Sequence, residues 1–214
     1  MFMVRRLTGL APVLVAACLL LAAANAVAFT PDAEQQAEIG RVERYLNGIV
    51  TLRARFSQIA PDGEVAEGTF YLRRPGRLRF EYDPPYPVLV VADGVWLIYH
   101  DRELGQVNRW PVYATPLGVL VAEQIRLDGD VRVSNMVRQP GVLELTLVQK
   151  DKPGQGSLTL IFSDRPLELR QWWLVDAQGE ITAVALTSVE KDLEFDPKLF
   201  FFSDPKPFNA DENR

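Results

Sequence analysis

From Val50 to about residue 190, short runs of alternating apolar and polar residues constrain the fold more than any other feature. In the first run, Leu52, Ala54 and Phe56 are separated by single polar residues, which is the period of a strand with one buried face. Turn-forming residues such as Asp93-Gly94 separate the runs about every 8–12 residues. The pattern predicts a mainly β domain with one large, curved antiparallel sheet of about eleven strands. The runs are residues 50–57, the two arms of 68–82, 88–91, 95–99, 131–137, 142–149, 157–163, 167–175, 180–190 and 200–202.

Residues 68–82 predict a hairpin that turns at Arg74-Pro75-Gly76. The large side chains of both arms fall on one face, so they either line an apolar cavity or pack as an ordinary core. Arg74 lies where that face bends away, and the local pattern also allows it to be a solvent-exposed turn residue. The large residues on this face are Phe70, Leu72, Leu78, Phe80 and Tyr82.

Two helical segments are predicted, one before the strand pattern and one within it. Thr30-Pro31 predicts an N-cap and a first-turn proline, after which apolar residues recur at helical spacing until Asn47-Gly48 ends the helix. A second, short apolar helix is predicted within residues 115–123, with Thr115 as its N-cap. It lies in a long connection between strands, so it is either a lid or a plug that fills one end of a barrel.

The N-terminus predicts a secretory signal peptide over residues 1–28, followed by a mature domain over 29–214. Two arginines precede an apolar run at residues 10–24, and small residues follow it as a cleavage site. The only cysteine, Cys18, allows an alternative in which the chain is cleaved and acylated there, as a bacterial lipoprotein is. The apolar run continues past Cys18, which favours the later cleavage and a cysteine-free mature protein in an oxidising compartment.

Charge and residue chemistry argue against several classes of function. The formal net charge is −5, and this acidic balance disfavours nucleic acid and anionic lipid headgroups as partners. A single histidine, His100, cannot build a His-rich metal site, and its neighbour Asp101 supplies the one suggestive acid–base pair. Asp192, Glu194 and Asp196 could gather calcium, but their alternation favours the exposed face of a strand. No Gly-x-Ser-x-Gly motif or phosphate-binding loop occurs, so neither an enzyme nor a cofactor is expected.

Several segments carry a family resemblance through their order and spacing. The hairpin at 68–82 is followed by Asp93-Gly94 and a strand-like run to Tyr99, by Asp101, Leu104 and Gln106-Val107, and by Thr115-Pro116-Leu117 with Leu120. Over roughly residues 29–202 the chain resembles the outer membrane lipoprotein carrier protein (LolA) family. The resemblance implies a single unclosed antiparallel β-barrel of about eleven strands, covered by an N-terminal helix and a short lid helix.

The resemblance also implies a function. A monomeric periplasmic chaperone would bind the acyl chains of lipoproteins released by an inner-membrane ABC transporter. It would deliver them to the outer membrane, to an acceptor protein where one exists. If Cys18 were acylated, the alternative would be a membrane-anchored acceptor or lipid-binding lipoprotein of the same fold.

Individual residues receive roles in the same way. Arg74 falls on the family's arginine that bonds backbone carbonyls of the lid helices in the closed state, so it is expected to gate the lid. Leu78 and Phe80 fall where the family often has Phe and Trp. The residues expected to line the acyl-chain cavity are Phe70, Leu72, Leu78, Phe80, Tyr82, Trp96, Tyr99, Leu117 and Leu120. The alternation leaves open whether Leu143, Leu145, Trp172 and Trp173 face the cavity or the solvent.

Overall fold

The computed structural model describes residues 29–203, so the predicted signal peptide at 1–28 lies outside the described part of the chain. Eleven strands form one antiparallel sheet in the order β6-β5-β4-β3-β2-β1-β11-β10-β9-β8-β7. Strands β6 and β7 are the two ends of this order, so the curved sheet remains open between them. The predicted fold class is therefore confirmed. The strands are β1 (Thr51–Ile59), β2 (Val65–Arg73), β3 (Arg77–Tyr82), β4 (Val88–Asp93), β5 (Trp96–Asp101), β6 (Gln106–Pro111), β7 (Val131–Gln139), β8 (Val142–Gln149), β9 (Ser157–Ser163), β10 (Glu168–Val175) and β11 (Ile181–Lys191).

Two strand assignments differ from the sequence pattern, although the total agrees. Residues 200–202 do not form a strand, because Pro197–Phe200 is a 3-10 turn that the Asp196 side chain caps. The strand missed by the pattern is β6, an edge strand whose residues are almost all exposed. Both faces of this edge strand are exposed to solvent, so its sequence shows no alternation of apolar and polar residues.

Helix α1 (Ala33–Asn47) is capped by Asp32, and the prediction that Thr30 caps it was wrong. The Asp32 carboxylate accepts from the Gln35 amide at 2.8 Å, and the Gln35 side chain accepts from the Asp32 amide at 2.9 Å. This reciprocal pair satisfies two N-terminal amides at once, which Thr30 cannot do from outside the first turn. The inward face of α1 buries Ile39, Val42 and Leu46.

A connection over residues 112–130 spans the gap between β6 and β7. It contains a 3-10 turn and a single helical turn, α2 (Gly118–Val121). Thr115 does not cap α2, since its hydroxyl donates backwards to the Val112 carbonyl at 2.7 Å. At Gly118, a Cβ atom would lie 2.7 Å from the Val112 carbonyl oxygen, so only glycine permits this tight path. We call α1 together with residues 112–130 the cover.

The main core lies between the cover and the concave face of the sheet. Its centre is aromatic, with ring centroids 4.6 Å apart for Phe70 and Phe80 and 5.6 Å apart for Phe70 and Trp172. Phe56 packs edge-on against Phe80 at 5.2 Å, in space that Gly68 leaves free by having no side chain. None of the helices within residues 29–203 has both the length and the apolar character needed to cross a membrane.

A second apolar layer covers the convex face of the sheet. The segment after β11 crosses this face, where Phe200 is buried and the Leu199 carbonyl accepts from Arg79 at 3.2 Å. Phe195 packs between Tyr71 and Phe200, at 5.7 and 6.0 Å between ring centroids. Residues 192–196 are therefore an irregular crossing segment, and the strand expected from their alternation is absent from it.

Candidate functional site

The turn at residues 74–76 joins β2 to β3 and presents Arg74 to the end of α1. The side chain is buried, and Nη2 donates to the Leu46 carbonyl in the last turn of that helix. Burial lowers the pKa of the Arg74 guanidinium to about 10, so it remains charged at neutral pH. Its Nε atom makes no hydrogen bond within residues 29–203. A buried, incompletely satisfied cation therefore rests against a helix end, where the carbonyl dipoles favour positive charge.

The same turn also holds α2. The Gly76 amide donates to the Val121 carbonyl at 2.7 Å, at the C-terminal end of that helical turn. Gly76 has φ +77°, a backbone conformation that favours glycine, and a Cβ atom there would lie 2.8 Å from the Gly94 Cα. Glycine is therefore required both for the backbone conformation and for the close approach of Gly94. One short turn thus contacts both helical parts of the cover.

Two side chains of α1 tie that helix to the connection. The Asn47 side chain donates to the Ile125 carbonyl at 2.9 Å and accepts from the Ile125 amide at 2.8 Å. Glu43 accepts from the Leu127 amide at 2.7 Å. In the sequence, Asn47 stands out only as a helix terminator, and no local signal indicates a tether to a residue 78 positions away. These bonds join the two parts of the cover into one unit.

A charged cluster holds the N-terminal half of α1 to the sheet. Asp164, in the β9–β10 turn, accepts from Arg41 and also faces Arg138 of β7. Glu38 of α1 pairs with both arginines, at 2.7 Å from Arg41 and 3.6 Å from Arg138. The hydrogen bond from Arg41 lowers the pKa of the Asp164 carboxyl below its ordinary value. The helix is therefore held at both ends, by this cluster and by Arg74.

Most of the residues expected to line the interior do face it. Phe70, Leu72, Leu78, Phe80 and Leu120 are buried in the core between the sheet and the cover, and Tyr82 and Leu117 pack against that core half-buried. Tyr99 is opposite Val90 in the register, on the same concave face, and is half-buried. Of the four undecided residues, Leu143, Leu145 and Trp172 are buried in this core, whereas Trp173 is 38% exposed.

Trp96 does not belong to this set, and the structure contradicts its assignment to the cavity. It is 42% exposed and three residues from Tyr99, so the alternation of β5 puts the two side chains on opposite faces. The concave position in this part of β5 is Leu97, which is opposite Ala92. Trp96 and Tyr99 cannot both face the interior, because successive residues of a strand point to opposite faces of the sheet.

The interior is filled in this closed arrangement. The space expected to be a cavity is occupied by the inward side chains themselves, with Leu78 and Trp172 no more than 1% exposed. Apolar walls that can approach one another pack to close contact, because a void between them forfeits dispersion contacts. Room for a ligand beneath the cover therefore requires the cover to move.

The suggestive acid–base pair does not form. His100 packs on the Phe202 ring at 5.3 Å, on the convex side of β5. Asp101 accepts from the amides of Glu103 and Leu104, both at 2.9 Å, and so caps the next turn. Within residues 29–203, no three His, Cys, Asp or Glu side chains are grouped as metal ligands.

Comparisons with known proteins identify the family. The chain is 28% identical to an outer-membrane lipoprotein carrier protein of Methylococcus capsulatus over 81% of its length and 87% of that protein. It is 31% identical to a protein of the same name from Alkalilimnicola ehrlichii, over 91% of this chain and 90% of that one. Among solved structures it is similar to a LolA superfamily protein of Nitrosomonas europaea, with a TM-score of 0.43 and 10% identity over 77% of this chain and 97% of that one.

The family profile described as outer membrane lipoprotein carrier protein LolA matches residues 47–203, which include the Arg74 turn, the connection and all eleven strands. This match covers well over half of the chain. The protein therefore belongs to the LolA family of outer membrane lipoprotein carriers.

Proposed function

We propose that this protein carries acylated lipoproteins across the periplasm after removal of residues 1–28. It takes them from an inner-membrane ABC transporter that releases them and passes them to the outer membrane, to an acceptor protein where one exists. The observation that carries the proposal is a large apolar core beneath a cover whose two helices both bond to the turn at residues 74–76. The family membership supports the same cargo class.

The free energies involved explain why the cover must open and close. Burying an acyl chain of about 15 methylenes is worth about 12 kcal/mol, and three such chains exceed the affinity at which non-covalent binding saturates, roughly 18–21 kcal/mol. A carrier with a preformed cavity of that capacity would not release its cargo. Here cargo must first displace the packed core and the bonds that hold the cover, so the free energy of opening is subtracted from the binding energy.

Arg74 suits the gating role because the bond that it makes when the cover is closed is only moderately favourable. Its bond to the Leu46 carbonyl is charge-assisted, a class worth about 1.5–3 kcal/mol. Burial of the cation, which lowers its pKa to about 10, opposes that gain. The bond therefore biases the cover towards closure without locking it, and its re-formation assists release.

The test compares loading and release in Arg74→Leu and in a matched control, Arg77→Leu. Arg77 lies on the other side of the same turn, and its side chain donates to the Pro75 carbonyl at 3.3 Å, within the turn itself. A purified triacylated lipoprotein is loaded from detergent, and its transfer to outer-membrane vesicles is measured. We expect Arg74→Leu to load normally and to transfer poorly, and Arg77→Leu to behave as the native protein. Normal transfer combined with defective loading in Arg74→Leu would refute the gating role.

A further inference from the structure

A cleft of about 610 Å³ lies at the seam of the open sheet, on the side of the connection that faces β7 and β8. Its floor includes Val119 and Ile125 of the connection and Val131, the first residue of β7. Its volume falls within the range of roughly 300–1,000 Å³ that small-molecule sites occupy. None of the residues that hold the cover to the Arg74 turn lines it.

A second, smaller void lies beside the cleft. A small recess of about 20 Å³ shares Val119 and Val131 with the floor and ends at Leu147 and Leu158, which are both at most 2% exposed. That volume accommodates one small group, of the size of a water molecule. An apolar recess of this size suits the methyl end of an alkyl chain better than water, because water needs polar partners.

The rim of the cleft is polar, with amide and mixed charged side chains. Gln149 donates to the Ala114 carbonyl at 3.1 Å and so bridges the two walls. The other polar side chains that line the cleft are Thr115, Gln124, Arg126, Asp130, Asp151, Lys152 and Gln155. Amide donors and acceptors match an ester or amide carbonyl and the peptide that follows it, whereas an apolar rim would not hold such a head group.

We propose that this seam cleft binds one unbranched acyl chain with its ester or amide head at the rim, while the cover is still closed. It is then the first docking site for cargo, before the other chains enter beneath the cover. The inference rests on the proposed function, because it assigns the cleft to the same acylated cargo. A chain that threads past Val131 towards Leu147 would disturb the underside of the cover before Arg74 is displaced.

The test uses the mature protein and two probes of equal chain length, a monoacylated cysteinyl peptide and a lysophosphatidylglycerol. Affinity is measured by calorimetry for the native protein, for Val131→Arg and for the control Val137→Arg. Val137 is half-buried on the same strand but outside the cleft. We expect Val131→Arg to weaken binding by at least about tenfold, because a cation at the apolar floor of the cleft excludes an alkyl chain. We expect Val137→Arg to leave the affinity unchanged. We expect the cysteinyl peptide to bind more tightly than the lysolipid, whereas tighter binding of the lysolipid would reject the assignment of the cleft to lipoprotein cargo.

The Gly76 amide reports separately on the cover, because it is hydrogen-bonded to Val121 only when α2 is in place. Its hydrogen exchange should remain slow in the complex with either monoacyl probe. Nuclear Overhauser contacts between the terminal methyl group of the acyl chain and the side chains of Leu147 and Leu158 should appear in the native protein, which tests the site without any substitution.

The proposal is overturned if Val131→Arg binds the probes as the native protein does, or if binding accelerates Gly76 exchange. The first result would place the chain elsewhere, and the second would mean that even one chain enters beneath an opened cover. Failure of the Arg74→Leu transfer test with intact monoacyl binding would instead reject the gating mechanism and leave the cleft standing.

Discussion

Asn47 is predicted to couple the two parts of the cover, so that α1 and the connection open together. Its side chain makes two hydrogen bonds to the backbone of Ile125, and it directly follows Leu46, the residue bonded to Arg74. Replacement by alanine removes both bonds, at about 1 kcal/mol each. The total of about 2 kcal/mol corresponds to a roughly 30-fold larger equilibrium constant for local opening.

Native-state hydrogen exchange measures that equilibrium amide by amide. In Asn47→Ala, the amide hydrogens of Ile125 and Leu127 should exchange about 30-fold faster. Exchange of the Gly76 amide should also accelerate, because α2 is part of the connection and detaches from the turn when the connection opens. Asn47→Asp keeps the acceptor for the Ile125 amide and loses the donor, so about half of the free-energy change is expected. Gln36→Ala, on the exposed face of α1, serves as the control and should change none of the three.

One result would refute this reasoning. If Ile125 exchanged faster in Asn47→Ala while Gly76 kept its native rate, the connection would open locally and α2 would stay in place. The cover would then consist of two independent parts, and cargo would not need to move α1 in order to displace α2.

Two further predictions concern the anchoring of α1 and the packing of the core. Because the pKa of Asp164 is depressed below the ordinary value of 3.8, its bond to Arg41 stabilises the fold above that value and is lost as the pH falls through the depressed pKa. Thermal unfolding at a series of pH values should therefore show Asp164→Asn less stable than the native protein near neutrality, with the difference shrinking as the pH falls below 3.8. A difference that stayed constant over this range would contradict the argument. Gly68→Ala would place a Cβ atom 2.2 Å from the Glu81 carbonyl oxygen, so it should lower the free energy of unfolding in urea by about 1–3 kcal/mol. In the control Gly154→Ala, the new Cβ atom has nothing within 4 Å and should change that free energy little. Equal effects of the two substitutions would reject the packing argument.

The sequence predicts this fold well wherever one face of an element is buried. The hairpin arms around residues 74–76 and strand β8 carry a clear period of two, because fully buried and less buried residues alternate along them. Strand β6 lacks that contrast and was missed. Residues 200–202 were expected to form a strand because they are all apolar, but Phe200 and Phe202 are apolar because they pack on the convex face.

The candidate site was predictable only in part. Arg74 stands out because a charged residue interrupts an apolar face at a turn, and the family resemblance gives that position a role. Asn47 and Glu43 carry no such mark, since their partners are backbone groups of residues 125 and 127 whose position depends on the tertiary fold. The closed, filled interior was also missed, because a residue pattern shows which side chains face inward but not the separation of the walls.

The unjoined edges of the sheet have a mechanical consequence. Because β6 and β7 exchange no ladder hydrogen bonds, the described strands can flatten or curl by small changes of twist between neighbours without breaking any pairing. Small changes of twist, spread over many strand pairs, can therefore alter the curvature of the sheet by degrees. A sealed cylinder of the same strands would have to break a ladder of hydrogen bonds to change its girth by the same amount.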